Sequence, residues 1–198
     1  MIVLSGMVRM SSANERFTPT EKEALLGVAQ EAVIAGLNGE RLQPELREFP
    51  EQLIDPGASF VTLNKTGQLR GCIGTLEAHQ PLVLDVAHNA YAAAFRDPRF
   101  PALQQFELEL LEFHLSVLSK PEPMPVESEA DLLSRVRPHI DGLILEEGYR
   151  RGTFLPAVWE SLPDPVEFVM QLKRKAGLPM DYWSDTIRVS RYTAEHIS

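Results

Sequence analysis

A chain of 198 residues with 44% hydrophobic and 24% charged side chains fits one domain, or one domain of two lobes, large enough to bury a substantial core. Its formal net charge of −9 argues against nucleic acid or anionic membrane as a general partner, because phosphate repulsion would have to be overcome locally, although a small basic pocket remains compatible with it. A single cysteine precludes an internal disulfide, and no apolar run approaches the roughly 20 residues that span a bilayer. The apolar start Met1–Gly6 is short and lacks the basic flank of a signal peptide, so a cytoplasmic location is expected.

Residues 1–17 are expected to form a flexible N-terminal tail ahead of a single domain over 18–198. Thr18-Pro19-Thr20-Glu21 carries an N-cap, a proline at the first helical position and a glutamate three residues after the cap. Apolar spacing from Leu25 then predicts a helix to about Leu37, ended by Asn38-Gly39. Pro44, Pro50 and Pro56 make 40–57 an extended connection. Strands are predicted over 58–65 and 68–76, joined by a hairpin turn at Thr66-Gly67. A helix should follow from Pro81 to about Phe95, its alanines packed close on a sheet, until Pro98 and Pro101 forbid continuation.

Residues 111–118 alternate Leu111, Phe113, Leu115 and Val117 with polar residues and read as a strand. After the Pro121–Pro125 turn come a short helix over 129–136 and a second hairpin, 142–146 with 151–155. Helical segments over 156–162 and 165–176 and a final strand over 186–192 complete the chain. This irregular interleaving predicts an α+β fold with a largely antiparallel sheet flanked by helices. Lys173, Arg174 and Lys175 are expected to complement a helix C-terminus, and Arg150-Arg151 to form a solvated tip.

Chemistry concentrates at Leu69-Arg70-Gly71-Cys72-Ile73-Gly74-Thr75. Strand alternation places Arg70, Cys72 and Gly74 on one face and Leu69, Gly71, Ile73 and Thr75 on the other. Arg70 is then close enough to Cys72 to favour its thiolate, and Gly71 and Gly74 mark where a backbone or a ligand comes near. The competing reading is a buried structural cysteine, with glycines that admit a packed helix.

One helix later, Phe95-Arg96-Asp97-Pro98-Arg99-Phe100-Pro101 offers Arg96 and Arg99 in a proline-fixed loop for a carboxylate or phosphate; alternatively, Asp97 pairs with one of the arginines. Among the histidines, His114 is the better partner for Cys72 if its strand neighbours that of Cys72. His88 should be packed or half-buried on its helix. No ligand spacing supports a metal site, and neither a phosphate loop, a dinucleotide fingerprint nor a nucleophile elbow is present.

The segments 69–75 and 94–101 resemble the two signatures of the AMMECR1-domain family. Further matches are Leu115–Leu118, Asp141–Ile144, Thr153–Pro156 and Lys175–Pro179, so the resemblance covers roughly residues 20–195. It implies a two-lobed α+β fold with a cleft between the lobes and the Cys72 motif near that cleft. It ties the chain to no single reaction and to no particular cofactor. Prokaryotic relatives are often encoded beside, or fused to, MEMO-like and radical SAM proteins, which implies a shared modification pathway with these as partners. Arg70, Gly71, Cys72, Gly74, Arg96, Asp97, Arg99 and Phe100 match the family motifs position by position. His114 falls where many relatives carry another residue, so a Cys72–His114 pair is not implied for the family. The reading that follows is Cys72 as nucleophile or covalent carrier, Arg70 beside it, and Gly71, Gly74, Arg96, Asp97, Arg99 and Phe100 shaping a site for a small anionic ligand. The alternative is a non-catalytic binding or scaffold module for a protein partner.

Overall fold

The computed structural model describes residues 16–198. The expected tail over 1–15 lies outside the described residues. Phe17, assigned to that tail, is instead buried in the core. Helix α1 (Pro19–Leu37) starts at Thr18, whose side chain accepts from the Glu21 N–H while the Glu21 carboxylate accepts from the Thr18 N–H. The connection after it holds a short helix α2 (Glu51–Ile54) and strand β1 (Pro56–Gly57). Strands β2 (Ser59–Lys65) and β3 (Gln68–Gly74) form the hairpin, with Thr66 and Gly67 both at positive φ, as a tight two-residue turn requires.

Strand β4 (Gln80–Pro81), helix α3 (Leu82–Phe95) and strand β5 (Leu111–Leu118) follow, and β5 turns Leu115 and Val117 into the core as predicted. Next come β6 (Glu122–Pro123), α4 (Glu129–Arg135), the hairpin β7 (Gly142–Glu147) and β8 (Arg150–Phe154), helix α5 (Pro165–Lys175), β9 (Arg188–Tyr192) and β10 (Ala194–Ile197). Residues 156–160 form a 3₁₀ turn.

The strands build two antiparallel four-stranded sheets, ordered β10-β5-β2-β3 and β6-β9-β7-β8, with β1 and β4 paired separately. α1 and α3 cover one face of the first sheet, and their apolar stripes meet Val61, Leu63, Leu115 and Val117 in one core. The second lobe has its own core around Trp159, stacked on Phe168 with ring centroids 3.7 Å apart. Lys173 does more than complement the α5 dipole: fully buried, it reaches the Glu129 carboxylate at 2.9 Å and ties α5 to α4. The lobes meet through Ala58, Leu118, Ile144 and Tyr192, and a second tie joins Glu77 to Arg151, which is therefore not merely a solvated tip. Like the short α2, β1, β4 and β6, β10 is absent from the sequence reading. It carries the chain back from the second lobe to pair with β5.

Candidate functional site

The β2–β3 hairpin decides where each residue of the 69–75 motif goes. Leu63 pairs with Gly71 and Thr62 with Cys72, but Asn64 pairs with Leu69, leaving Arg70 as an extra residue in a bulge. The strict alternation that set Arg70 beside Cys72 is broken there. Arg70 is buried, its Nε and Nη2 donating to the two Glu107 carboxylate oxygens at 3.0 and 2.9 Å and Nη2 also to the Pro101 carbonyl. Its cation is thus neutralised by Glu107, with Lys65 on the same carboxylate at 2.7 Å, rather than directed at the sulfur. Arg70 foremost, with Lys65, pulls the Glu107 pKa down to about 2 despite burial.

Gly71 faces α3. A methyl group on it would come within 2.1 Å of the Ala93 carbonyl oxygen, so the helix seats on the hairpin only because this position is bare. Ile73 turns into the same core. Gly74 leaves room for the Phe60 ring, which a Cβ would approach to 2.2 Å. Thr75 donates from Oγ1 to Asp85 at 2.7 Å.

Cys72 faces the opposite way, on the side of the sheet that α1 and α3 do not cover. It is half-buried, and Thr62 Oγ1 donates to its Sγ at 3.2 Å. Thr62 also pairs with His114, so Cys72, Thr62 and His114 form one row across β3, β2 and β5. The strand of His114 does not neighbour that of Cys72. Two strand spacings, about 10 Å of backbone, separate them, and Thr62 takes the place beside the sulfur that a base would need. His114 instead lies 4.0 Å from Glu112 on its own strand. The next row holds Gly74, Phe60, Ser116 and His196, with Phe60 packed against the Ala58, Leu118, Ile144 and Tyr192 cluster where the lobes meet.

The second signature answers the first through its side chains. β3 is an edge strand, and the outward N–H of Cys72 donates to Asp97 Oδ2 at 2.9 Å while its carbonyl accepts from Arg99 Nη2 at 3.2 Å. Arg99 and Asp97 are themselves bonded, Nη2 to Oδ2 at 2.6 Å and Nε to Oδ1 at 2.9 Å. The pair thus stands in for a neighbouring strand at this one residue. The Arg99 guanidinium, chiefly through its hydrogen bond, holds the buried Asp97 carboxyl well below the usual carboxylate range. The Phe100 ring lies near two guanidinium groups, its centroid 5.5 Å from Cζ of Arg99 and 5.9 Å from Cζ of Arg70. Arg96 does not join Arg99: it is exposed and lies 5.9 Å from the Tyr91 ring. The expected pair of arginines waiting for one anion is therefore divided, and Arg99, half of its side chain exposed, is the cation left next to Cys72.

Sequence reading missed the buried network behind this face. Asp85, almost without solvent contact, accepts from the Ser59 N–H and hydroxyl, Thr75 Oγ1, Asn89 Nδ2 and, at 3.4 Å, Gln80 Nε2. Its donors come from four segments, and only the spacing of Asp85 and Asn89 on α3 hinted at it. His88, expected to be packed, is exposed. Among the described residues there is no group of three or more His, Cys, Asp or Glu placed to hold a metal ion, and no helix is long and apolar enough to cross a membrane.

Comparison with known proteins agrees with this architecture. The AMMECR1 family profile matches residues 26–197. A protein of Methanothermobacter thermautotrophicus is 39% identical over 181 residues, covering 88% of this chain and 92% of its own, and one of Thermotoga maritima is 41% identical over 160 residues, covering 79% and 86%. The crystal structure of the uncharacterized protein PH0010 from Pyrococcus horikoshii superposes with a TM-score of 0.77 at 33% identity, covering 91% of this chain and 92% of that one. With its two-lobed α+β fold and both signature segments packed on one another, the chain belongs to the AMMECR1 family.

Proposed function

We propose that this protein acts through Cys72, which binds or covalently engages a small anionic ligand on the uncovered face of the first sheet, beside the junction of the lobes. One observation carries the reading: of the residues from Arg70 to Thr75, only Cys72 has a side chain that neither packs into the core, nor bonds to a buried carboxylate, nor is kept bare for a close approach. Its backbone is clamped by Asp97 and Arg99, so the thiol is held in a fixed place with a cation next to it. The family resemblance carried by this motif supports the context, a modification pathway shared with MEMO-like and radical SAM proteins, in which the thiol would receive or carry the ligand.

The test is alkylation of the native protein with iodoacetate and with neutral iodoacetamide, followed by intact mass. Iodoacetate should gain on iodoacetamide relative to a cysteine-containing peptide, and Arg99→Ala should abolish that gain. A thiol that reacts only after unfolding, or a reagent ratio equal to the peptide's, overturns the proposal.

A second reading has its own support. Arg70 and Arg99 already hold carboxylates, and Arg96 is turned toward Tyr91, which suits a binding module for a protein partner better than an anion trap. On that reading Cys72→Ser leaves capture of a MEMO-like or radical SAM protein from native extract unchanged. On the first, it removes the ligand adduct.

A further inference from the structure

A second polar site lies on the far side of α3 from Cys72. The positions Leu84, His88 and Tyr91 form one stripe of the helix, set about opposite the face that carries Ala93 against Gly71. Between this stripe and the connection that follows α1 is a cavity of about 260 Å³, into which Arg41, Gln43 and Gln80 also face. The helix and the whole sheet separate it from the thiol.

The chemistry of this cavity differs from that of the Cys72 clamp in one respect. There, the guanidinium groups are neutralised by carboxylates. Here, Arg41 lies flat on the Tyr91 ring, 3.3 Å from its centroid, and makes no hydrogen bond or ion pair among the described residues. Stacking holds a guanidinium by its face and leaves the in-plane N–H groups for an acceptor. Gln43, His88 and the Tyr91 hydroxyl likewise have no hydrogen-bond partner among the described residues. Asp85, the carboxylate nearest in sequence on α3, is already occupied by its five donors. In a protein of net charge −9, an unpaired arginine pinned at a concave site with an apolar floor of Leu42 and Leu84 is the arrangement that recognises an anion.

We infer that this cavity binds a small organic oxyanion, with its carboxylate or phosphate on Arg41 and an apolar portion over Leu84, and that His88 and Gln43 supply further hydrogen bonds to it. The site is independent of Cys72 chemistry.

Titration of the ¹⁵N-labelled full chain with benzoate, inorganic phosphate and neutral benzamide tests the inference. Benzoate, phosphate or both should shift the amides of residues 41–43 and 84–91 in a saturable way, benzoate alone marking a carboxylate site and phosphate alone a phosphate site. Benzamide should bind at least about tenfold more weakly, the loss expected when a charge-assisted hydrogen bond is forfeited. Arg41→Gln should weaken binding by a similar factor with the remaining spectrum unchanged, His88→Ala should weaken it less, and Cys72→Ser should leave it intact. Saturation of these amides by neither anion, equal binding of benzamide, or undiminished binding by Arg41→Gln overturns it.

Discussion

The Cys72 N–H and the Asp97 carboxylate lie 2.9 Å apart and join the two signature segments across 25 residues of chain. Asp97 is almost fully buried and also holds Arg99, whose guanidinium donates in turn to the Cys72 carbonyl. Removing the carboxylate leaves a half-buried N–H unpaired and a guanidinium without its counter-charge. Asp97→Ala should therefore cost about 2–4 kcal/mol in stability, measured by denaturant unfolding. It should also free the β3 edge, seen as faster amide exchange at Cys72.

Acid should unfold the first lobe through the same kind of contact. The Glu107 pKa is lowered to about 2 by Arg70 and Lys65. A carboxyl depressed in the folded state contributes stability that is fully present above its unfolded value, near 4.3, and lost as pH falls toward the folded value. At about 1.4 kcal/mol per unit, Glu107 contributes at most about 3 kcal/mol, lost between roughly pH 5 and 2. Glu107→Gln should flatten the stability profile over that window and lower the plateau at neutral pH.

Gly71→Ala should be among the most damaging single-methyl changes in the chain. The added atom meets backbone at 2.1 Å, and neither strand nor helix can yield without unseating α3. A loss of about 3 kcal/mol or more is expected. Gly152→Ala in the second lobe, where the nearest backbone atoms are at 2.8 and 2.9 Å, should cost less. Thermal melting of the two variants side by side checks the order.

Asp85→Asn keeps size but replaces an acceptor by a donor facing Asn89 and Ser59. With those groups buried, a loss of about 2–4 kcal/mol is expected. Cys72→Ser, by contrast, should leave the melting temperature nearly unchanged, because the half-buried sulfur accepts one weak hydrogen bond, from Thr62, which a serine oxygen can also accept. His114→Ala should not slow alkylation of Cys72, since Thr62 stands between the two residues in their shared row.

What could be read in the sequence was local. The capping box at Thr18, the Thr66-Gly67 turn and the alternation along 111–118 each lie within one period of their element, and each holds in the fold. The outward direction of Cys72 followed from the same alternation. Arg70 escaped it because a bulge is set by how two strands register, and its partner Glu107 lies 37 residues away. β10, four residues long, carries too little pattern to declare itself. Asp85 looked like an ordinary polar residue in the first turn of a helix, and only the gathering of Ser59, Thr75, Gln80 and Asn89 around it reveals a buried acceptor.

The return of β10 to the first sheet has a consequence for the order of events during synthesis. Residues 194–197 cover the outer edge of β5, while Glu195 accepts from the Arg16 N–H and meets Lys22 at the start of α1. Until residues 194–197 have been made, the edge of β5 carrying Leu115 and Val117 stays unpaired, although every other strand of that sheet is already present. The first lobe, begun before the second, therefore closes after it, and a nascent chain stalled before residue 194 should present an open β edge to chaperones or to another copy of itself.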